Sequence, residues 1–249
     1  MSNRPHGVGG KDIYWCKKKD LYKWTKPRLA SKINTIYDEE GVFFHPDGKT
    51  LYFSSKGHPG LGGYDIFETT FSGRNFSKPK NLGYPINTPY NDLYFVLSAS
   101  GQRGYYSSAH GDGHGGQDIY VIKYPKPTKN LTLLTGIISD EETKELLGAE
   151  ILLEDIDSSV VIGRLTSNSK TGKYLISLPF GRNYGIAVKK EGYLFHSENF
   201  MIPASKAYRE AEKNIELKKV EVGKKIVLRN IFFDYDKAIL RPNSILELD

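Results

Sequence analysis

The chain repeats itself at a fixed interval. Asp12, Asp65 and Asp118 stand 53 residues apart, each after a Gly-Gly pair and before an isoleucine and an aromatic residue. The three phrases read GGKDIYWCK from Gly9, GGYDIFETT from Gly62 and GGQDIYVIK from Gly115. Ile33-Asn34-Thr35 returns as Ile86-Asn87-Thr88, Ser54-Ser55 as Ser107-Ser108, Gly48 as Gly101, and Tyr37 as Tyr90. Trp24 and Phe76 are 52 apart, as are Pro27 and Pro79, so the second copy gained one residue between Pro79 and Ile86. A period of this length marks a chain built from stacked supersecondary units.

Each copy reads as antiparallel strands. VFFH (42–45) and TLYFSS (50–55) flank Pro46-Asp47-Gly48-Lys49, and LYFVLS (93–98) and RGYYSS (103–108) flank Ala99-Ser100-Gly101-Gln102. Asp-Gly between apolar runs signals a hairpin, because glycine accepts the positive φ that the turn needs. A fourth, weaker strand is expected around Trp24 and Phe76. A lone four-stranded sheet cannot bury both faces, so the copies are expected to stack radially as a β-propeller. Residues 1–124 would supply two full four-stranded blades and the opening strand of a third. Ser2 aligns with Ser55, so the chain reads as a fragment that begins part-way through a blade. Its unpaired blade edge is expected to self-associate. The repeated aspartates are expected to bind backbone amides of their own turns, an architectural role.

Composition narrows the function classes. The net charge of +6 comes from lysines scattered in short groups, not from one basic element, which argues against a nucleic-acid surface. A single cysteine, Cys16, excludes an internal disulfide framework and a cysteine-based zinc site. There is no run of about 18 apolar residues to span a bilayer. The start, MSNRPHGVGG, lacks the apolar core of a signal peptide. His45, His58, His110 and His114 crowd the repeat region, but under the 53-residue shift they fall on residues other than histidine. They are therefore not a metal device carried by each copy.

The repeat stops at a Pro/Lys linker over 125–130. Beyond it LTLLTGIISD (131–140), LLGAEILLED (146–155), VVIGRLTS (160–167), KYLISLP (173–179), YGIAVKKEGY (184–193) and NIELKK (214–219) read as strands. About seven short strands with turn signals imply a small β-sandwich over 131–219. The tail over 220–249 reads as a strand, a loop and a helix start at Pro242.

Three resemblances attach to these segments. Pro46-Asp47-Gly48-Lys49 with Leu51-Tyr52-Phe53-Ser54-Ser55, and Gly63-x-Asp65-Ile66-Phe67, resemble the TolB-type, WD-like propeller repeat. Gly136, Leu147-Gly148-Ala149, Thr171-Gly172-x-Tyr174, Leu178-Pro179-x-Gly181 and Lys190-x-Gly192-Tyr193 resemble the carboxypeptidase-regulatory-like, transthyretin-type sandwich, in which they are packing and turn positions. Phe233-Asp234-Tyr235-Asp236-Lys237 with Leu240-Arg241-Pro242 resembles the opening of an OmpA-like peptidoglycan-binding domain. In this order the three resemble OmpA-family outer-membrane lipoproteins, including members tied to type IX secretion. The expected fold class is all-β: a partial propeller, then a transthyretin-like sandwich, then a truncated α/β OmpA-like start.

The resemblance implies a non-catalytic envelope scaffold in the periplasm, associated with the outer membrane. Its partners would be peptidoglycan, through a part of the OmpA-like domain beyond this sequence, and outer-membrane or periplasmic proteins. The alternative is a propeller-capped serine hydrolase or a zinc-peptidase accessory region. The sequence holds no G-x-S-x-G elbow, no H-E-x-x-H and no phosphate loop. No catalytic, cofactor-binding or metal residue is assigned, and Asp234 with Asp236 is set aside as an acid/base pair. A third reading is a carbohydrate-adhesion module that stacks exposed Tyr and Trp on sugars. Against it, Trp15, Trp24 and the repeated tyrosines are expected to fill cores.

Overall fold

A computed structural model describes residues 1–17, 23–111, 113–126, 131–158, 160–205 and 208–220. They fall into two compact units. The first holds Met1–Leu131 with Ser177–Pro179 and Lys206–Arg209; the second holds Thr132–Ile176, Phe180–Ser205 and the described residues from Glu210.

In the first unit the strands are β1 (Tyr14–Trp15), β2 (Arg28–Leu29), β3 (Glu39–Phe44), β4 (Thr50–Ser55), β5 (Asp65–Thr70), β6 (Lys80–Asn81), β7 (Asp92–Leu97), β8 (Arg103–Ser108) and β9 (Asp118–Lys123). They form a two-stranded sheet β1-β2, a four-stranded sheet β3-β4-β5-β6 and a three-stranded sheet β7-β8-β9. The 53-residue period survives in the register. Ser55 pairs with Asp65 as Ser108 pairs with Asp118, and Ser2 bridges Asp12 in the same way. The fourth strand is the two-residue β2 or β6, a few residues beyond the expected Trp24 and Phe76. Phe76 makes only an isolated bridge to Phe71.

Strand alternation explains the stacking. In the middle sheet Leu51, Phe53 and Phe67 point one way, into a core with Ile13, Ala30, Ile33 and Phe76. Tyr52 and Ile66 point the other way, into a core with Ile86, Phe95, Leu97 and Tyr106. Every residue of β4 is buried. Alternate residues of a strand face opposite sides, so this sheet is apolar on both faces because a core lies on each side of it.

The sheets do not close. Among the described residues no ring of sheets forms, and the expected partial propeller is corrected to a stack of open sheets. β3 and β7 each carry a register shift at the same repeat position, where Gly41 has φ 59° and Tyr94 has φ 59°. A Cβ on Gly41 would lie 2.8 Å from the Tyr94 amide nitrogen. The missing side chain is what admits the next sheet there. Tyr94 bears a side chain at the equivalent place, and the three described sheets of this unit are fewer than the roughly four that a closed ring needs.

The Pro46–Lys49 turn is locked by Asp47, which accepts hydrogen bonds from the Lys49 amide (2.9 Å), the Thr50 amide (2.8 Å) and the Thr50 hydroxyl (2.6 Å). Burial pushes its carboxyl up, but bonds from the His45 ring, Thr50 and Lys49 outweigh that and hold it well below the ordinary 3.8. A depressed folded-state pKa stabilises the fold above the unfolded value and loses that effect as pH falls. Asp47→Ala should therefore cost about 1–2 kcal/mol at pH 7. In urea titrations at a series of pH values, the gap from the parent should shrink progressively below about pH 4.

The strands that lie wholly or mostly in the second unit are β10 (Leu131–Asp140), β11 (Glu150–Asp155), β12 (Val160–Thr166), β13 (Lys173–Pro179), β14 (Arg182–Lys189), β15 (His196–Ile202), β16 (Arg209–Glu212) and β17 (Ile215–Leu217). One sheet runs β13-β10-β16, with β17 parallel to β10; the other runs β12-β11-β14-β15. Tyr184, Ile151, Leu153, Ile138, Leu178 and Ile215 are fully buried. The strands β15 and β16 escape the sequence pattern. HSENFMI mixes polar and apolar residues and, among the described residues, pairs only with β14, and REAE is exposed throughout. The expected OmpA-like start lies beyond residue 220, outside the described residues, and Asp234 and Asp236 lie there with it.

Candidate binding surface

The repeated Gly-Gly-x-Asp phrase builds one loop three times. The Asp12 carboxylate accepts from the amides of Val8 (2.9 Å) and Gly9 (3.4 Å). Asp65 accepts from Leu61 (3.0 Å) and Gly62 (3.1 Å). Asp118 accepts from His114 (2.8 Å) and Gly115 (3.3 Å). The aspartates thus stitch a turn, as the sequence predicts, and no described neighbour presents them as an acid/base pair.

A segment from the next copy then docks on the loop. After the first loop this is residues 30–39. The Asn34 side chain accepts from the Ile13 amide (2.8 Å) and donates to the Ile13 carbonyl (3.0 Å). After the second it is residues 82–92. Asn87 accepts from the Ile66 amide (2.7 Å) and donates to its carbonyl (2.8 Å). Asp38 and Asn91 accept from the amides of Lys11 (2.9 Å) and Tyr64 (3.0 Å). The backbone crosses the glycines so closely that a Cβ on Gly62 would sit 2.1 Å from the Tyr90 carbonyl oxygen. The sequence repeats Ile-Asn-Thr without disclosing this role, since the partner of each asparagine lies 21 residues away.

The docked segment turns outward at a tyrosine, and a buried acid braces the turn. The Thr35 hydroxyl accepts from the Tyr37 amide (3.1 Å) and donates to Glu39 (2.7 Å), which also takes bonds from the Thr35 amide and the Ser55 hydroxyl. Thr88, Tyr90 and Asp92 repeat this geometry. Burial pushes the Glu39 carboxyl above its ordinary value despite these bonds. The two tyrosines stand out in solvent, Tyr37 at 55% and Tyr90 at 44% exposure, with Ile36 at 73% beside the first. The Tyr90 ring lies 5.6 Å from His110. The expectation that the tyrosines and tryptophans fill cores therefore divides. Trp15 packs against Phe71 at 5.1 Å and Tyr52 is buried, but Trp24, Tyr37 and Tyr90 face outward.

The histidines serve different local ends. His45 is buried and lies 3.3 Å from the Ser98 carbonyl. His58 lies 2.9 Å from the Ile33 carbonyl and against the rings of Phe53 and Phe67. Among the described residues no group of three or more His, Cys, Asp or Glu could hold a metal ion. In the second unit Asp140 anchors a surface cluster. It accepts from the amides of Glu142 (2.9 Å) and Thr143 (2.8 Å) and from the Tyr193 hydroxyl (2.9 Å), and pairs with Lys219 (3.2 Å). The Thr143 amide leads in holding its carboxyl well below the ordinary range.

No family model matches the chain, and no curated protein matches it. Solved structures that superpose on it include a streptococcal ancillary pilin, at 14% identity and a TM-score of 0.30, covering 63% of this chain and 51% of that one. The Bacillus anthracis TIE protein superposes at 12% identity and a TM-score of 0.32, over 80% of this chain and 36% of that one. The group B streptococcus pilus 2b backbone protein does so at 13% and 0.32, over 73% and 97%. The chain thus spans about half of the first structure and about a third of the second. Overlap this loose transfers no role. The expected membership in the OmpA family, with its tie to type IX secretion, is corrected: no family match supports it, and the sheets that suggested it form no ring among the described residues.

Proposed function

We propose that this chain is a non-catalytic structural or adhesive module that meets its partner through the outward turns bearing Tyr37 and Tyr90. One observation carries this reading. The polar residues of the repeat are consumed in holding its loops, while the tyrosines at the same period are held out in solvent on braced turns. A rigid ring at fixed spacing offers a large contact area at small entropic cost and stacks on sugar faces or on protein side chains. The setting we propose is the cell surface, where such a rim would face carbohydrate.

The test is retention on isolated cell-wall material and on a glycan array, comparing the parent with a Tyr37→Ala/Tyr90→Ala double variant. Both side chains are exposed, so the variant should keep its unfolding midpoint while retention falls about tenfold, the equivalent of about 1.4 kcal/mol. Retention of the variant at the parent's level would remove this surface from the proposal. Turnover of ester or peptide substrates by the purified chain would overturn the non-catalytic reading.

A further inference from the structure

The third Gly-Gly loop is built like the first two but holds no docked segment among the described residues. A Cβ on Gly9 or Gly62 would strike the backbone of the segment that crosses it, whereas Gly115 and Gly116 have nothing within 4 Å. Ile13 and Ile66 are 3% and 0% exposed beneath their asparagines, whereas Ile119 is 80% exposed. Ile119 pairs with Ser107 in the register in which Ile66 pairs with Ser54. Its amide and carbonyl therefore face outward, as those of Ile66 face Asn87. β5 carries the short β6 on its far edge, while β9 ends its sheet.

We infer that the open edge of β9 with the Gly115-Gly116 loop is a docking site for an extended segment of another polypeptide. The two filled copies define its chemistry. It is a short edge strand followed by Ile-Asn-Thr-x-Tyr and an Asn or Asp. The asparagine amide brackets the backbone of Ile119, the final Asn or Asp accepts from the Gln117 amide, and the threonine and tyrosine carbonyls cross Gly115. This is strand addition to a sheet edge, in which main-chain bonds supply affinity and side chains supply specificity. The occupant is an extended segment, because in both filled copies one stretch, residues 30–39 or 82–92, crosses the loop and is held through its own asparagine. This site is distinct from the tyrosine rim proposed above, and either can fail alone.

The test uses the full chain and a labelled peptide with the sequence of residues 79–92, PKNLGYPINTPYND. Fluorescence anisotropy should show saturable binding. Binding should weaken at least tenfold for the peptide with alanine in place of its Asn87. It should weaken likewise for the chain variants Gly115→Ala, which puts a Cβ in the path of the crossing carbonyls, and Ile119→Asp. Both positions face open space, so circular dichroism and the unfolding midpoint should match the parent. Absence of binding to the parent would overturn the proposal, as would binding that survives both chain variants. A parent dimer that Gly115→Ala dissociates would replace the foreign segment with a second copy of this chain.

Discussion

Replacing Asn87 by leucine should cost about 2–3 kcal/mol of stability, because it leaves the buried Ile66 amide without an acceptor, while the Ile66 carbonyl keeps the Leu82 amide at 3.1 Å. Asn87 is fully buried, and its amide also donates to the Asn81 side chain at 2.7 Å. Leucine matches the volume but offers neither donor nor acceptor, so the loss measures the polar bracket and not a cavity. Asn34→Leu removes the corresponding pair at Ile13 and should cost a similar amount. Urea unfolding followed by tryptophan fluorescence and circular dichroism would check both. A loss below about 1 kcal/mol at Asn87 would mean that the bracket contributes no more than an ordinary surface contact.

The second large effect is a contrast between equivalent glycines. Gly62→Ala should destabilise by about 3 kcal/mol, since its Cβ would press on the Tyr90 and Thr88 carbonyl oxygens at 2.1 and 2.4 Å. These are backbone atoms of a docked segment and cannot swing aside. Gly115→Ala, the same change one period later, should stay within about 0.5 kcal/mol. Differential scanning calorimetry on the two variants should separate them clearly. Equal losses would show that the glycines are needed for the loop itself and not for what crosses it.

The sequence reveals some of these features and hides others, for identifiable reasons. The strands of the repeat were readable because Asp-Gly turns and the Gly-Gly-x-Asp phrase mark their ends, and alternation marks their faces. The fourth strands were not, because Arg28–Leu29 and Lys80–Asn81 are two-residue pieces without any periodic pattern. β15 and β16 show the same lack of alternation and are not legible in the sequence. A period announces stacking but is silent on closure, which depends on how many sheets stack and at what angle. The family resemblance rested on short phrases that describe turns, and any hairpin of this geometry asks for the same Asp-Gly or Gly-x-Asp chemistry. The candidate surface was half legible. Tyr37 and Tyr90 were visible as a repeat, but their exposure depends on the turn that Thr35 and Glu39 brace, a contact the sequence does not announce.

Strands β4 and β5 of the middle sheet are covered on both faces, and this bears on how that unit would behave under load. Neither flanking layer can peel away without wetting a whole apolar wall of β4 and β5, so partial detachment gains nothing. Pulled by its ends, the stack is expected to hold as one body and then give way in a single step.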